Sequence, residues 1–131
     1  MNNSANTIYD LGIDIGSTTV KVALIDPQKN ILFTDYERHF ANIQETLKKL
    51  LKKAWDHTGD IRIRPSITGS GGLTLANHLN IPFVQEVIAV SNSLKNYDEK
   101  VDVAIELGGE DAKIIYFSGN NIEQRMNGIC A

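Results

Sequence analysis

Two stretches of this sequence set an acid, a glycine turn and a lysine in the same order. Ile13-Asp14-Ile15-Gly16-Ser17-Thr18-Thr19-Val20-Lys21 aligns without a gap on Ile105-Glu106-Leu107-Gly108-Gly109-Glu110-Asp111-Ala112-Lys113. In each copy the acid lies near the end of an alternating apolar run, and its side chain is expected to point away from the apolar face. A glycine-rich hairpin lets backbone N–H groups approach phosphate oxygens closely, and hydroxyls add donors. A carboxylate at the mouth of such a hairpin can hold Mg²⁺, usually through water, because this cation keeps much of its hydration shell. Asp14 and Glu106 are therefore the candidate magnesium positions. Gly16, Ser17, Thr18, Thr19, Gly108 and Gly109 are the candidate phosphate contacts. Lys21 and Lys113 suit either a phosphate contact or a plain exposed strand position. One such turn is ordinary hairpin chemistry; its duplication favours a phosphate clamp, with two facing hairpins gripping one nucleoside triphosphate from opposite sides.

The elements that must carry these turns can be read from periodicity. Ile8–Ile15 alternates, with Tyr9, Leu11, Ile13 and Ile15 on one face; residues 20–26 and 31–37 return as second and third strands, separated by the turn residues Pro27-Gln28-Lys29-Asn30. Ile43, Leu47, Leu50, Leu51, Ala54 and Trp55 then form one stripe of an amphipathic helix. Asn42 and Glu45 resemble a capping box at its start, and Gly59 suits its end. Residues 61–68 read as a strand, Gly72–Leu79 as a helix, 83–84 as a short buried strand and 86–96 as a further helix. The order β-β-β-α-β-α-β-α is that of the ribonuclease H-like fold, an α/β lobe with a mixed sheet, complete by about residue 98. Residues 1–98 are thus read as lobe I. Residues 99–131 are read as the opening β-meander of a second lobe, with strands at 101–107, 112–117 and 122–126. Three strands without covering helices do not make a stable lobe, so the chain is expected to be a truncated piece of a longer protein.

Composition narrows the function classes. The chain has 131 residues, and its 13 lysines and arginines against 16 acids give a net charge of −3, which is no footprint for nucleic acid. One cysteine excludes an internal disulfide framework. There is no signal peptide, and no apolar run reaches the ~20 residues needed to cross a bilayer, so a soluble, cytoplasmic protein without membrane partners is expected. The phosphate-binding loop G-x-x-x-x-G-K-[ST] is absent. Gly69-Ser70-Gly71-Gly72 is not a dinucleotide fingerprint, because position 74 is threonine. Lying between a strand and a helix N-terminus, residues 68–72 suit either a cleft lining or a plain turn. Lys48, Lys49, Lys52 and Lys53 read as a solvated helix face. His39, His57 and His78 are scattered and read as surface or boundary residues rather than ligands.

Leu11-Gly12-Ile13-Asp14-Ile15-Gly16-Ser17-Thr18-Thr19 resembles the first phosphate loop of the actin-like ATPases, the superfamily of actin, sugar kinases and heat-shock chaperones. The second hairpin together with Arg125-Met126-Asn127-Gly128-Ile129-Cys130-Ala131 is more specific. It resembles the ATP-dependent activators of 2-hydroxyacyl-CoA dehydratases and the ATPase subunits of benzoyl-CoA reductases, and more narrowly their long fused relatives. The resemblance spans essentially the whole chain. It implies a homodimer sharing one [4Fe-4S] cluster at the subunit interface. It also implies ATP hydrolysis that drives one electron at very low potential into a CoA-substrate dehydratase or reductase. Cys130 matches the first of two cluster cysteines per subunit, and thiolate is the ligand such clusters require. The sequence departs from the family in three places: Glu106 stands where aspartate is usual, Glu110 where glutamine is common, and no C-H-A follows Glu86. Asp14, Glu106 and Glu110 are the catalytic candidates, with the group that orients the hydrolytic water left open. The E-x-x-C-H-A region around Glu86 receives no role.

By this resemblance, ATP closes the two lobes and the closure rearranges the dimer around the cluster. Two other readings compete with it: a small-molecule kinase of the same superfamily, needing no iron, and a non-catalytic, nucleotide-dependent assembly module. The piece alone is expected to be inactive, and its open strand edges at 101–126 suggest dimerisation or strand exchange.

Overall fold

A computed structural model describes residues 6–97, 100–109, 111–119 and 121–126. The chain divides into two compact units, Met1–Val84 and Gln85–Ala131. The helix Glu86–Tyr97 therefore groups with the second meander.

In the first unit, β1 (Ile8–Ile15), β2 (Thr19–Ile25) and β3 (Ile31–Arg38) form an antiparallel meander, and β4 (Arg62–Thr68) joins β1 in parallel. The sheet order is β3-β2-β1-β4. Alternation sorts β1 as expected: Leu11, Ile13 and Ile15 are buried, while Asp14 lies on the opposite face. Leu47 and Leu50 of α1 (Ile43–Thr58) close one core with Val20, Val22, Leu24 and Ile67. Gly59 ends α1 with φ at +72° and donates its N–H to the Trp55 carbonyl. Trp55 leaves the buried stripe, being 58% exposed, and its indole N–H donates to Asp60 Oδ1 at 2.8 Å. The expected capping box does not form. Asn42 caps with no side-chain hydrogen bond; its N–H turns back onto the His39 carbonyl, and Glu45 pairs with Lys48. The lysine face is paired as a solvated face should be, with Lys49 on Glu37, Lys52 on Asp56 and Lys53 on Asp35. Helix α2 (Gly72–Leu79) follows β4, and Phe83 bridges Ile67 in parallel where a short buried strand is expected.

Arg64 on β4 reaches Asp10 on β1, Nε to Oδ1 at 2.7 Å, and its hydrogen bond holds the Asp10 carboxyl below the usual carboxylate range. A lowered folded value means that this pair stabilises the fold above the unfolded carboxyl range, and that the contribution is lost as pH falls through the lowered value. Asp10→Asn is therefore expected to lower the melting temperature at neutral pH, with the deficit shrinking as the solution is acidified through the lowered value. Paired thermal melts across that range check it; a deficit that persists in acid contradicts it.

The second unit comprises α3 (Glu86–Tyr97) and the antiparallel sheet β5 (Val103–Leu107), β6 (Ala112–Ser118) and β7 (Asn121–Met126), in that order. Ile115 and Ser91 are fully buried, and the Ser91 hydroxyl donates back to the Val87 carbonyl. Val103, Ile105 and Leu107 are exposed. In the repeat they correspond to Leu11, Ile13 and Ile15, so the face that α1 covers on the first sheet is open on the second. No helix among the described residues is long and apolar enough to cross a membrane.

Candidate functional site

The first turn is closed by its own backbone. The Gly16 N–H donates to the Thr19 carbonyl at 2.9 Å, which leaves the Ser17 and Thr18 amides as the turn's open donors among the described residues. Asp14 pairs in register with Lys21, whose Nζ lies 3.3 Å from Asp14 Oδ2. Asp14 Oδ1 is buried without a hydrogen-bond partner among the described residues, and so is the hydroxyl of Thr68, the neighbour of Asp14 on β4. The loop after β4 packs onto this acid. Gly69 has φ at +100°, and a Cβ there would lie 2.3 Å from the Ile15 carbonyl oxygen and 2.5 Å from Asp14 Oδ1. The Gly71 N–H then donates to the same Ile15 carbonyl at 2.9 Å. Residues 68–72 thus support the turn rather than merely entering a helix.

His39 is a residue the sequence reading missed. It is 7% exposed, and its Nε2 donates to the Gly16 carbonyl at 3.0 Å, while its Nδ1 accepts the Ala41 N–H at 3.0 Å. The acceptor role of Nδ1 fixes the proton on Nε2. Its own N–H donates to the Thr18 carbonyl, so one side chain and its backbone hold both ends of the turn. Phe40 and Ala41, which complete this corner, carry φ of +47° and +64°. A corner of two left-handed residues gives no periodic signal; a histidine directly after a strand was the only clue. His39→Ala leaves the Gly16 carbonyl and the Ala41 N–H unpaired, which is expected to cost about 2 kcal/mol. The urea unfolding midpoint checks this, and an unchanged midpoint contradicts it.

The second turn repeats the first. The Gly108 N–H donates to the Asp111 carbonyl at 2.9 Å, leaving Gly109 as the next open amide among the described residues, and Glu106 pairs in register with Lys113. Glu106 Oε2, like Asp14 Oδ1, is buried and unpartnered among the described residues. The lysines differ. Lys21 is exposed and on its acid, whereas Lys113 is buried and its ammonium is bound to Glu86 of α3. Burial works against the Lys113 charge, but the Glu86 hydrogen bond, with the pull of Glu86, Glu106 and Asp111, overrides it and holds the ammonium above the ordinary lysine range. Glu86 is the second residue that the sequence reading left without a role.

A half-buried carboxylate with one desolvated, unpartnered oxygen is under-compensated, and a cation near its other oxygen would relieve that. Among the described residues Glu106 has no ion pair, whereas Asp14 Oδ2 already carries Lys21, which a hydrated magnesium ion held through water would have to displace. No group of three or more ligating side chains stands together among the described residues. Glu110 and Cys130 lie outside the described residues.

No protein-family model matches the chain. It is 27% identical over 110 residues to the uncharacterized protein MJ0004 of Methanocaldococcus jannaschii, covering 84% of this chain and 44% of that protein. Among solved structures it is similar to component A of (R)-2-hydroxyglutaryl-CoA dehydratase from Acidaminococcus fermentans, with a TM-score of 0.72 and 21% identity over 90% of this chain and 47% of that one. It is also similar to the activator of the 2-hydroxyisocaproyl-CoA dehydratase from Clostridium difficile, solved with bound ADPNP, with a TM-score of 0.68 and 22% identity over 94% and 47% of the two chains. The chain thus spans less than half the length of these relatives. At such identities the likeness establishes architecture: this is a mixed α/β chain of the ribonuclease H-like, actin-like ATPase fold.

Proposed function

We propose that this chain carries the phosphate-binding turns of an ATP-hydrolysing activator, one that couples ATP to low-potential electron transfer into a CoA-substrate dehydratase or reductase. The observation that supports the reading best is the duplicated turn. Two acid–glycine–lysine hairpins share register and closing hydrogen bond, and each has one buried carboxylate oxygen without a partner among the described residues. The dehydratase component and activator with which the chain shares its fold lend the reading its partner class.

Asp14 and Glu106 would hold Mg²⁺ through water, and the ion would neutralise phosphate charge. The Ser17, Thr18 and Gly109 amides, with the hydroxyls of Ser17, Thr18 and Thr19, would accept the phosphate oxygens. Gly16 and Gly108 would act by shaping their turns, since their N–H groups are already used. Lys21 would move from Asp14 to a phosphate when nucleotide arrives. Cys130 would give a thiolate to a [4Fe-4S] cluster shared across a homodimer, which supplies the electron when present. Glu110 would be a further catalytic candidate, with the group that orients the hydrolytic water left open.

Purification of the whole protein without air tests this. The expected result is a brown, iron-containing dimer that releases phosphate from ATP without phosphorylating a small molecule. A colourless, iron-free dimer would sink the electron-transfer part. A phosphorylated small molecule would point to a kinase, and ATP binding without turnover to an assembly module.

A further inference from the structure

The two turns differ in where their lysines go, and the difference traces to one residue. In the first, Lys21 pairs with Asp14 Oδ2 across the strand pair, and no other ion pair of Lys21 stands among the described residues. In the second, Lys113 is the cross-strand neighbour of Glu106 in the same register, yet its ammonium is taken by Glu86 at the start of α3. Glu106 Oε2 is left unpartnered among the described residues. Among the described residues Glu86, Glu106 and Asp111 are the acids that act on the buried Lys113 ammonium.

We infer that Glu86 is a positioning residue for the second turn: by holding Lys113 on α3 it keeps Glu106 free to take a hydrated magnesium ion. This rests on the proposed nucleotide site and deepens it. A lysine released from Glu86 would swing to Glu106, occupy its carboxylate and compete with the metal. The chemistry is a contest between two cations for one carboxylate, and α3 decides it. Glu86 touches neither nucleotide nor metal in this account and acts only through Lys113.

The test uses the whole protein with saturating ADPNP and Mg²⁺ as the titrant. Glu86→Gln is expected to weaken Mg²⁺ affinity about tenfold, the size of effect a nearby opposite charge has on a carboxylate. Adding Lys113→Met to Glu86→Gln is expected to restore affinity to near the parent's, because the competing cation is gone. A purely structural role for the pair predicts the opposite, a double variant at least as weak as the single one. Unchanged affinity in Glu86→Gln, or no rescue in the double variant, overturns the inference. A second readout needs no nucleotide: the side-chain ammonium resonance of Lys113 should shift in Glu86→Gln and become sensitive to Glu106→Gln. If the parent binds no nucleotide, the proposed function fails, while a Lys113 signal unmoved by Glu86→Gln independently removes the positioning role.

Discussion

Gly69→Ala is expected to destabilise the first unit by at least about 3 kcal/mol, among the largest costs a single methyl group can impose. Two effects combine. At φ +100° any residue with a Cβ is strained, by about 1–2 kcal/mol. The added Cβ would also lie 2.3 Å from the Ile15 carbonyl oxygen, a backbone atom that cannot step aside without opening β1. Gly59→Ala is the control. Its φ of +72° and ψ of −162° are a glycine-favoured conformation and nothing lies within 4 Å, so it should show backbone strain alone, about 1–3 kcal/mol. Urea unfolding of both variants separates the two contributions. Equal losses would mean that the loop after β4 does not press on the first turn.

The second large effect concerns charge at the two turns. Asp14→Asn and Glu106→Gln are each expected to weaken Mg·ATP binding about 100-fold, or about 2.7 kcal/mol. Binding of ATP without magnesium should be unchanged or tighter, because a negative charge facing the phosphates has been removed. That opposite sign distinguishes a lost metal position from a damaged fold. Calorimetry of the whole protein with and without Mg²⁺ measures both arms. Equal weakening in the two arms would identify these acids as structural.

Much of this fold is legible in the residues because its signals are local. Strand alternation places Leu11, Ile13 and Ile15 in the core, the helical stripe places Leu47 and Leu50 there, and the gapless repeat pairs Asp14 with Glu106. The supports of the turn are not legible, because each depends on contact between distant segments. His39 reaches Gly16 only after β3 has returned beside β2, and Gly69 meets Ile15 only because β4 lies parallel to β1. The capping box fails for a similar reason: the left-handed corner at Phe40 and Ala41 turns the Asn42 N–H onto His39. Glu86 escapes notice because its partner lies on another element, and nothing in the spacing distinguishes Lys113 from Lys21.

The central claim is that two copies of one turn hold a magnesium polyphosphate, and a crystal structure of the whole protein with Mg·ADPNP tests it most directly. Phosphate oxygens are expected about 3 Å from the Ser17 or Thr18 amides and from the Gly109 amide, with metal-bound water on Asp14 and Glu106. Phosphates lodged away from either turn, or a metal held by neither acid, would contradict it.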